Sequence, residues 1–125
     1  MSEQVCVIHI DDEEAILKST RQWLELSGFK VSSFGSAAAA LDTLSAQDAC
    51  VIVSDIKMPG MDGMELARRC HQLDPDLPVI LVTAHGDIST AVQAMREGAY
   101  DFIEKPYEPE LLGDCIQRAW EKRQL

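Results

Sequence analysis

The chain has 125 residues, a length that suits one domain with one core, and its 46% of hydrophobic residues argues against disorder. The formal net charge of −10 argues against nucleic acid as a direct partner, because phosphate contacts need clustered Lys and Arg. No apolar run approaches the ~18 residues of a membrane span, and the segment Met1 to Gln4 has no signal-peptide character, so we expect a cytoplasmic protein.

Strand and helix patterns alternate five times along the chain. Strands are predicted at residues 5–10, 29–34, 49–54, 79–82 and 101–103, and helices at 16–26, 37–44, 64–73, 88–96 and 111–123. Ser36 and Asp62 are predicted N-caps, and Gly28 and Gly98 are predicted to end helices. This alternation indicates an α/β fold, a five-stranded parallel sheet with helices on both faces.

The cysteines lie far apart and form no C-x-x-C pair. Cysteines inside apolar patterns are typical of buried thiols in a reducing compartment. We therefore expect no native disulfide and no metal–thiolate site, with Cys6 and Cys50 buried on central strands. The remaining two are Cys70 and Cys115.

The stretch from Val51 to Gly63 organises the chain. It begins as an apolar strand, and Asp55 follows at the carboxyl end, where parallel sheets bind ligands. Pro59, Gly60 and Gly63 then force a loop. The alternative is that Asp55 only caps a turn.

Other strand ends carry functional groups as well. Asp11 and Asp12 follow the first strand, Thr83 ends the fourth, and Lys105 follows the fifth. Together with Asp55, they place three carboxylates, one hydroxyl and one ammonium at one edge of the sheet. Two carboxylates 4 Å apart repel by roughly 4 kcal/mol at an effective dielectric of 20. A Mg²⁺ ion would offset this repulsion, because it takes few protein oxygens together with water and phosphate.

The acidic run from Asp11 to Glu14 has a simpler explanation as well. Acidic residues at a helix start are favoured by the helix dipole. This explanation suits Glu13 and Glu14. It suits Asp11 and Asp12 poorly, because it does not account for the functional groups at the ends of the other strands.

These motifs resemble the response-regulator receiver domains of bacterial two-component signalling. The resemblance rests on Asp11-Asp12, the D-x-K-M-P-G-M-D-G run from Asp55, Thr83-Ala84 and Lys105-Pro106, and it covers essentially the whole chain. Residues 83–106 further resemble receivers of activators that carry an AAA+ ATPase and a DNA-binding module, such as nitrogen-regulatory and C4-dicarboxylate-transport regulators. We therefore expect residues 1–125 to be one receiver domain of flavodoxin-like (β/α)5 fold, at the N-terminal end of a longer regulator whose output domains are absent here.

The resemblance implies a phosphorylation site. Asp55 would accept a phosphoryl group from the phosphohistidine of a sensor histidine kinase. Asp12, Asp55 and the backbone carbonyl of Lys57 would ligate Mg²⁺, and Asp11 would hold a metal-bound water. The domain would catalyse its own phosphorylation and dephosphorylation without being an enzyme in the metabolic sense.

The resemblance also implies a switch. Thr83, with Ala84 beside it, and Lys105 would bind phosphoryl oxygens, and the bond before Pro106 would be cis. Phe102 would be the aromatic switch residue, without the hydroxyl of a Tyr, and would turn beneath the loop at residues 85–87.

We expect the phosphorylated state to be recognised at the face made by the fourth helix, the fifth strand and the fifth helix. Gly86 would let the loop at residues 85–87 change its backbone freely. On the output face a second copy would bind through a two-fold patch, and the result would be control of transcription.

Three other functions fit parts of the pattern. A stand-alone receiver would lack any output domain. A Mg²⁺-dependent phosphohydrolase would favour a D-x-D pair, but Asp55 is followed by Ile56 and Lys57. A flavodoxin-like cofactor binder would need a phosphate-binding loop after the first strand, where the four acids at residues 11–14 would repel phosphate.

Overall fold

The computed structural model describes residues 4–44, 49–84 and 86–124. Its strands and helices alternate as predicted. The strands are β1 (Cys6–Ile10), β2 (Lys30–Phe34), β3 (Val51–Asp55), β4 (Val79–Thr83) and β5 (Asp101–Glu104). The helices are α1 (Glu14–Leu26), α2 (Ala37–Leu41), α3 (Gly63–Leu73), α4 (Ile88–Arg96) and α5 (Pro109–Gln124).

Two helices differ from their predicted bounds. α2 ends at Leu41 rather than at Leu44, because the Thr43 hydroxyl and backbone N–H both donate to the Ala40 carbonyl and tighten the chain into a turn. α5 begins at Pro109, two residues earlier than predicted, because a proline fits the first helical position, where no N–H partner is needed.

The helix ends follow their local chemistry. Ser36 Oγ accepts a hydrogen bond from the Ala39 N–H at 3.2 Å, and Asp62 Oδ1 accepts one from the Glu65 N–H at 2.9 Å. Both predicted N-caps are therefore confirmed. Gly28 and Gly98 follow α1 and α4 with φ of +96°. This left-handed conformation commonly ends helices, and glycine adopts it without steric cost because it has no Cβ.

All five strands are parallel and lie in the order β2-β1-β3-β4-β5. Alternating side chains divide the core into two clusters, one on each face of the sheet. On the α1/α5 face, strand residues such as Val7 and Val53 pack with Leu24 and Ile116. On the α2/α3/α4 face, Ile10, Ile52 and Leu81 pack with Leu66 and Ala94. The predicted fold class is confirmed.

None of the four cysteines forms a disulfide. Cys50, Cys70 and Cys115 are buried, but Cys6 is only half-buried. The prediction that Cys6 is buried is therefore wrong, because this residue opens β1 beside a cavity of about 210 Å³ at the amino edge of the sheet. Cys50 is buried as predicted but lies one residue before β3 rather than on it. Among the described residues, no helix is both long and apolar enough to cross a membrane.

Candidate functional site

The carboxyl ends of four adjacent strands carry the predicted site residues. Asp11 follows β1 directly, Asp55 is the last residue of β3, Thr83 is the last of β4, and Lys105 follows β5. The register pairs Ile10 with Ser54, Asp55 with Val82 and Thr83 with Glu104, so these strand ends lie side by side. The parallel topology therefore brings residues far apart in sequence to one edge.

Three carboxylates form an acidic cluster at this edge. Oxygen atoms of Asp11, Asp12 and Asp55 all lie within 4.8 Å of one another. Asp11 is 2% exposed, Asp55 is half-buried and Asp12 is exposed. The Asp11 Oδ1 atom accepts a hydrogen bond from the Glu13 N–H at 2.9 Å, which fixes the orientation of this carboxylate. Glu13 and Glu14 are exposed and stand outside the cluster.

Lys105 contacts two of these carboxylates. Its Nζ lies 3.1 Å from Asp55 Oδ2, which accepts a hydrogen bond from it, and 3.6 Å from Asp11 Oδ2. Burial acts to lower the pKa of Lys105, but the hydrogen bond and charge of Asp55 outweigh it, so the pKa lies above its ordinary value. Burial raises the pKa of Asp11 above its ordinary value, against the Glu13 hydrogen bond and the Lys105 charge.

The charge of the cluster is only partly balanced. Three carboxylates stand against a single ammonium, so the formal charge of the group is negative. Hard oxygen donors with this excess charge match a small divalent cation such as Mg²⁺, and the donor set of this structure therefore fits that ion.

The loop after Asp55 is closely packed against the strand end. Gly60 has φ of +75°, which a turn there requires. Gly63 serves a different purpose, since a Cβ there would lie 2.5 Å from the Asp55 carbonyl oxygen. The Gly63 N–H donates to the Ile56 carbonyl at 2.8 Å. Lys57 lies on this loop with an exposed side chain.

The predicted switch residues belong to two neighbouring strands: Thr83 ends β4, Ala84 follows it, and Phe102 lies on β5 opposite Leu81. Thr83 is 2% exposed, Ala84 is exposed and Phe102 is half-buried. A Cβ on Gly86 would lie 2.8 Å from Glu104 Oε2 and 3.1 Å from Phe102 Cε1. His85, which the sequence placed in the same loop, lies outside the described residues.

The contacts of Gly86 change the explanation of this residue. Its φ is not positive, so in this conformation a larger residue is limited by the side chains of Phe102 and Glu104 and not by the backbone. On the neighbouring connection, the bond between Lys105 and Pro106 is cis, and the Lys105 N–H donates to the Thr83 carbonyl at 2.7 Å.

One residue of the site was missed in the sequence. His9 lies on β1, two residues before Asp11, and is 5% exposed. Its Nδ1 atom makes no hydrogen bond within the described part of the chain. Burial, and then the charge of Lys105, lower its pKa to about 4 against the effect of Asp55, so His9 is neutral at pH 7. The available signal was a single histidine inside an otherwise apolar strand.

Comparison with known proteins identifies one family. The profile described as "Response regulator receiver domain" matches residues 7–117. Among curated proteins, the C4-dicarboxylate transport transcriptional regulatory protein DctD of Rhizobium meliloti (strain 1021) is 55% identical over 125 residues, which is 100% of this chain and 27% of that protein. The DNA-binding transcriptional regulator NtrC of Escherichia coli (strain K12) is 36% identical over 110 residues, 88% of this chain and 24% of that protein. The chain thus spans about a quarter of the length of these two relatives.

Solved structures agree with the sequence match. A response regulator receiver domain protein from Clostridium thermocellum superposes with a TM-score of 0.88 at 31% identity, covering 96% of this chain and 97% of that one. The beryllofluoride-activated NtrC4 receiver domain dimer gives a TM-score of 0.87 at 35% identity, covering 94% of this chain and 98% of that one.

Proposed function

The chain belongs to the response regulator receiver domain family, and from this premise we propose that Asp55 accepts a phosphoryl group from the phosphohistidine of a sensor kinase. The single observation that carries the proposal is the position of Asp55 beside two other carboxylates and 3.1 Å from the Lys105 ammonium. The family match also favours a signalling receiver over a phosphohydrolase or a flavodoxin-like cofactor binder.

Asp55 acts as the nucleophile in this proposal. A carboxylate oxygen of Asp55 bonds to phosphorus while the phosphorus–nitrogen bond of the phosphohistidine breaks, and the electron pair of that bond leaves with the imidazole. Lys105 is already held at Asp55 and balances the negative charge on the phosphoryl oxygens. Thr83, at the end of the neighbouring strand, donates its hydroxyl hydrogen to one of these oxygens. Hydrolysis of the product at the same site returns the domain to its resting state.

Mg²⁺ is the metal that we propose for the acidic cluster. Asp12, Asp55 and the backbone carbonyl of Lys57 would hold it directly, with Asp11 holding a bound water. The ion would supply positive charge to the phosphoryl oxygens and so lower the repulsion between phosphate and carboxylates. Asp11 is suited to an indirect role, because its carboxylate is buried and already accepts the Glu13 N–H.

Acetyl phosphate tests the acceptor without requiring the cognate kinase. With Mg²⁺ present, intact-mass spectrometry of the protein should show the addition of one phosphoryl group, and the adduct should disappear with time after the donor is removed. Asp55→Asn should abolish the adduct. Asp62→Asn is the matched control, because it changes an aspartate seven residues later that only caps α3. An adduct on Asp55→Asn equal to that on the parent would show that another residue is the acceptor.

The proposed output is a change in self-association that controls transcription. Four apolar side chains are exposed on the two helices that flank β5 and would contribute to the interface with a second copy. These are Ile88 (84% exposed), Val92 (44%) and Met95 (51%) on α4, and Leu111 (49%) on α5.

Phosphorylation would act on this face through the switch residues. If Thr83 moves toward the phosphoryl group, the loop at Ala84 shifts, and the Phe102 ring that lies against Gly86 must move as well. Such coupling is worth ~1–3 kcal/mol, so we expect a shifted monomer–dimer balance and not a new fold. Sedimentation velocity with and without beryllofluoride tests this step, and equal mass distributions would contradict it.

A further inference from the structure

Two cysteines lie opposite one another at the amino edge of the sheet. Val7 of β1 pairs with Val51 of β3 in the parallel register. Cys6 and Cys50 each precede these residues by one position, so the same register sets them opposite each other. Both contribute to the core cluster on the α2/α3/α4 face, so their side chains share one face of the sheet.

The spacing of neighbouring strands matches the reach of a disulfide. Adjacent strands lie about 4.8 Å apart, and disulfides join Cα atoms separated by roughly 4.4–6.8 Å. Cys50 also precedes the first residue of β3, so it lies just outside the paired part of that strand.

The two thiols share a cavity that a small reagent can enter. It has a volume of about 210 Å³ and is lined by both cysteines together with Lys30 and Ser32. Cys6 is half-buried at its wall and Cys50 is 5% exposed. A water molecule occupies about 30 Å³ of liquid volume, so a molecule of the size of hydrogen peroxide fits this cavity easily.

The other two thiols are protected from the same reagent. Cys70 is fully buried on α3, and burial raises its pKa to about 12. Burial also raises the pKa of Cys115 to about 12, with a further contribution from its hydrogen bond to Asp101 at 3.3 Å. The thiolate is the reactive form of cysteine, so neither residue competes for an oxidant at pH 7.

We propose that Cys6 and Cys50 form a dithiol oxidation site, which peroxides close into a disulfide and small thiols of the glutathione class reopen. The Cys6 thiolate attacks one peroxide oxygen, the oxygen–oxygen bond breaks, and hydroxide leaves and takes up a proton as water. The Cys50 thiol then attacks the resulting sulfenic sulfur, the sulfur–oxygen bond breaks, and the hydroxyl leaves as a second water. Two thiols and one peroxide thus give one disulfide and two waters, and two equivalents of small thiol reverse the oxidation.

This site lies at the opposite edge of the sheet from the acidic cluster. Cys6 and Asp11 are separated by five positions, and so are Cys50 and Asp55. At about 3.3 Å per residue, each pair spans roughly 16 Å. The disulfide therefore joins the two strands that carry the acceptor site without touching that site. We expect a higher melting temperature, because the bond closes the chain between residues 6 and 50 in the unfolded state, and an unchanged rate of phosphorylation at Asp55.

The test treats the folded chain at low concentration with hydrogen peroxide, followed by alkylation and peptide mapping without reductant. The expected result is loss of two of the four thiols, a cross-linked peptide pair containing Cys6 and Cys50, and recovery of both thiols with dithiothreitol. Cys6→Ser, at the less buried position, should prevent the cross-link, whereas Cys115→Ser should leave it intact. Circular dichroism confirms that each variant is folded.

Three results would overturn the proposal. These are four unreacted thiols after peroxide, sulfinic acid at Cys6 with no cross-link, or a cross-link only between Cys6 residues of two molecules. The acetyl phosphate experiment on Asp55 is scored independently, so failure of either proposal leaves the other standing.

Discussion

Gly63→Ala is the sharpest test of how the fold positions Asp55, the proposed phosphoryl acceptor. Gly63 is the first residue of α3, and its N–H donates to the Ile56 carbonyl at 2.8 Å. An added Cβ would lie 2.5 Å from the Asp55 carbonyl oxygen, 2.8 Å from Ile56 Cα and 3.1 Å from the Asp55 carbonyl carbon. All three neighbours are backbone atoms, so none can move aside by changing a side-chain rotamer.

The size of the effect follows from these distances. Non-bonded carbon contacts are most favourable at about 3.5–4.0 Å, so the start of α3 and the end of β3 must separate by roughly 1 Å. Overpacking of this kind costs about 1–3 kcal/mol. A cost of about 2 kcal/mol lowers the melting temperature by about 8 °C in a domain of this size. Because Asp55 shifts with its backbone, its phosphorylation should slow by roughly ten- to a hundredfold.

Thermal denaturation and acetyl phosphate kinetics measure both effects. Gly35→Ala is the matched control, since a Cβ there meets nothing within 4 Å and its φ is not positive. We expect this control to melt within about 2 °C of the parent, because exposed substitutions rarely exceed ~0.5 kcal/mol. If Gly63→Ala also melts within that range and is phosphorylated at the parent rate, the close packing of α3 on Asp55 does not position the acceptor.

Four further variants address the metal, the cluster and the output face. Asp12→Ala should weaken Mg²⁺ binding at least about tenfold in titration calorimetry, since it removes one of the few proposed protein ligands; unchanged affinity would exclude Asp12 from the site. Burial raises the pKa of Asp11, so its ionised form is less stable in the fold than in the unfolded chain. Asp11→Asn should therefore have a higher melting temperature than the parent at pH 7 in the presence of a chelator. This difference in melting temperature should disappear as the pH falls below the folded pKa of Asp11, where the parent carboxyl is protonated as well. A lower melting temperature of the variant at pH 7 would contradict this. Gly86→Ala should shift the NMR signals of the Phe102 ring before any activation, because the new methyl group would press on that ring; unmoved signals would rule out the contact. Met95→Glu should abolish beryllofluoride-dependent dimerisation in sedimentation velocity while phosphorylation stays within about twofold of the parent, because an ionised carboxylate is costly to desolvate in an interface; a persisting dimer would locate the interface elsewhere.

The sequence by itself determined the order of the elements and most of the candidate site. Apolar runs of about five residues followed by amphipathic helices can bury both faces only as a parallel sheet with helices on each side. This topology brings the carboxyl ends of all strands to one edge of the sheet, so the sequence alone was enough to group Asp11, Asp55, Thr83 and Lys105. The sequence was enough to predict Ser36 and Asp62 as N-caps, because capping depends on contacts within one turn of the helix.

Only the tertiary structure decided the properties that depend on contacts between distant segments. The pattern of apolar residues did not specify the strand order β2-β1-β3-β4-β5, which puts β1 next to β3. That order brings Asp11 close to Asp55, and it also sets Cys6 opposite Cys50.

Close approach between segments that are distant in sequence was the second property that only the tertiary structure decided. Gly63 and Gly86 looked like loop glycines, but the structure shows that each leaves room for atoms of another segment. His9 was not singled out in the sequence, and its burial and low pKa follow from packing and from Lys105, which is 96 residues away in sequence. Sequence patterns record local conformation and the side of an element that is buried, whereas register, distance and electrostatic environment arise only when the elements pack together.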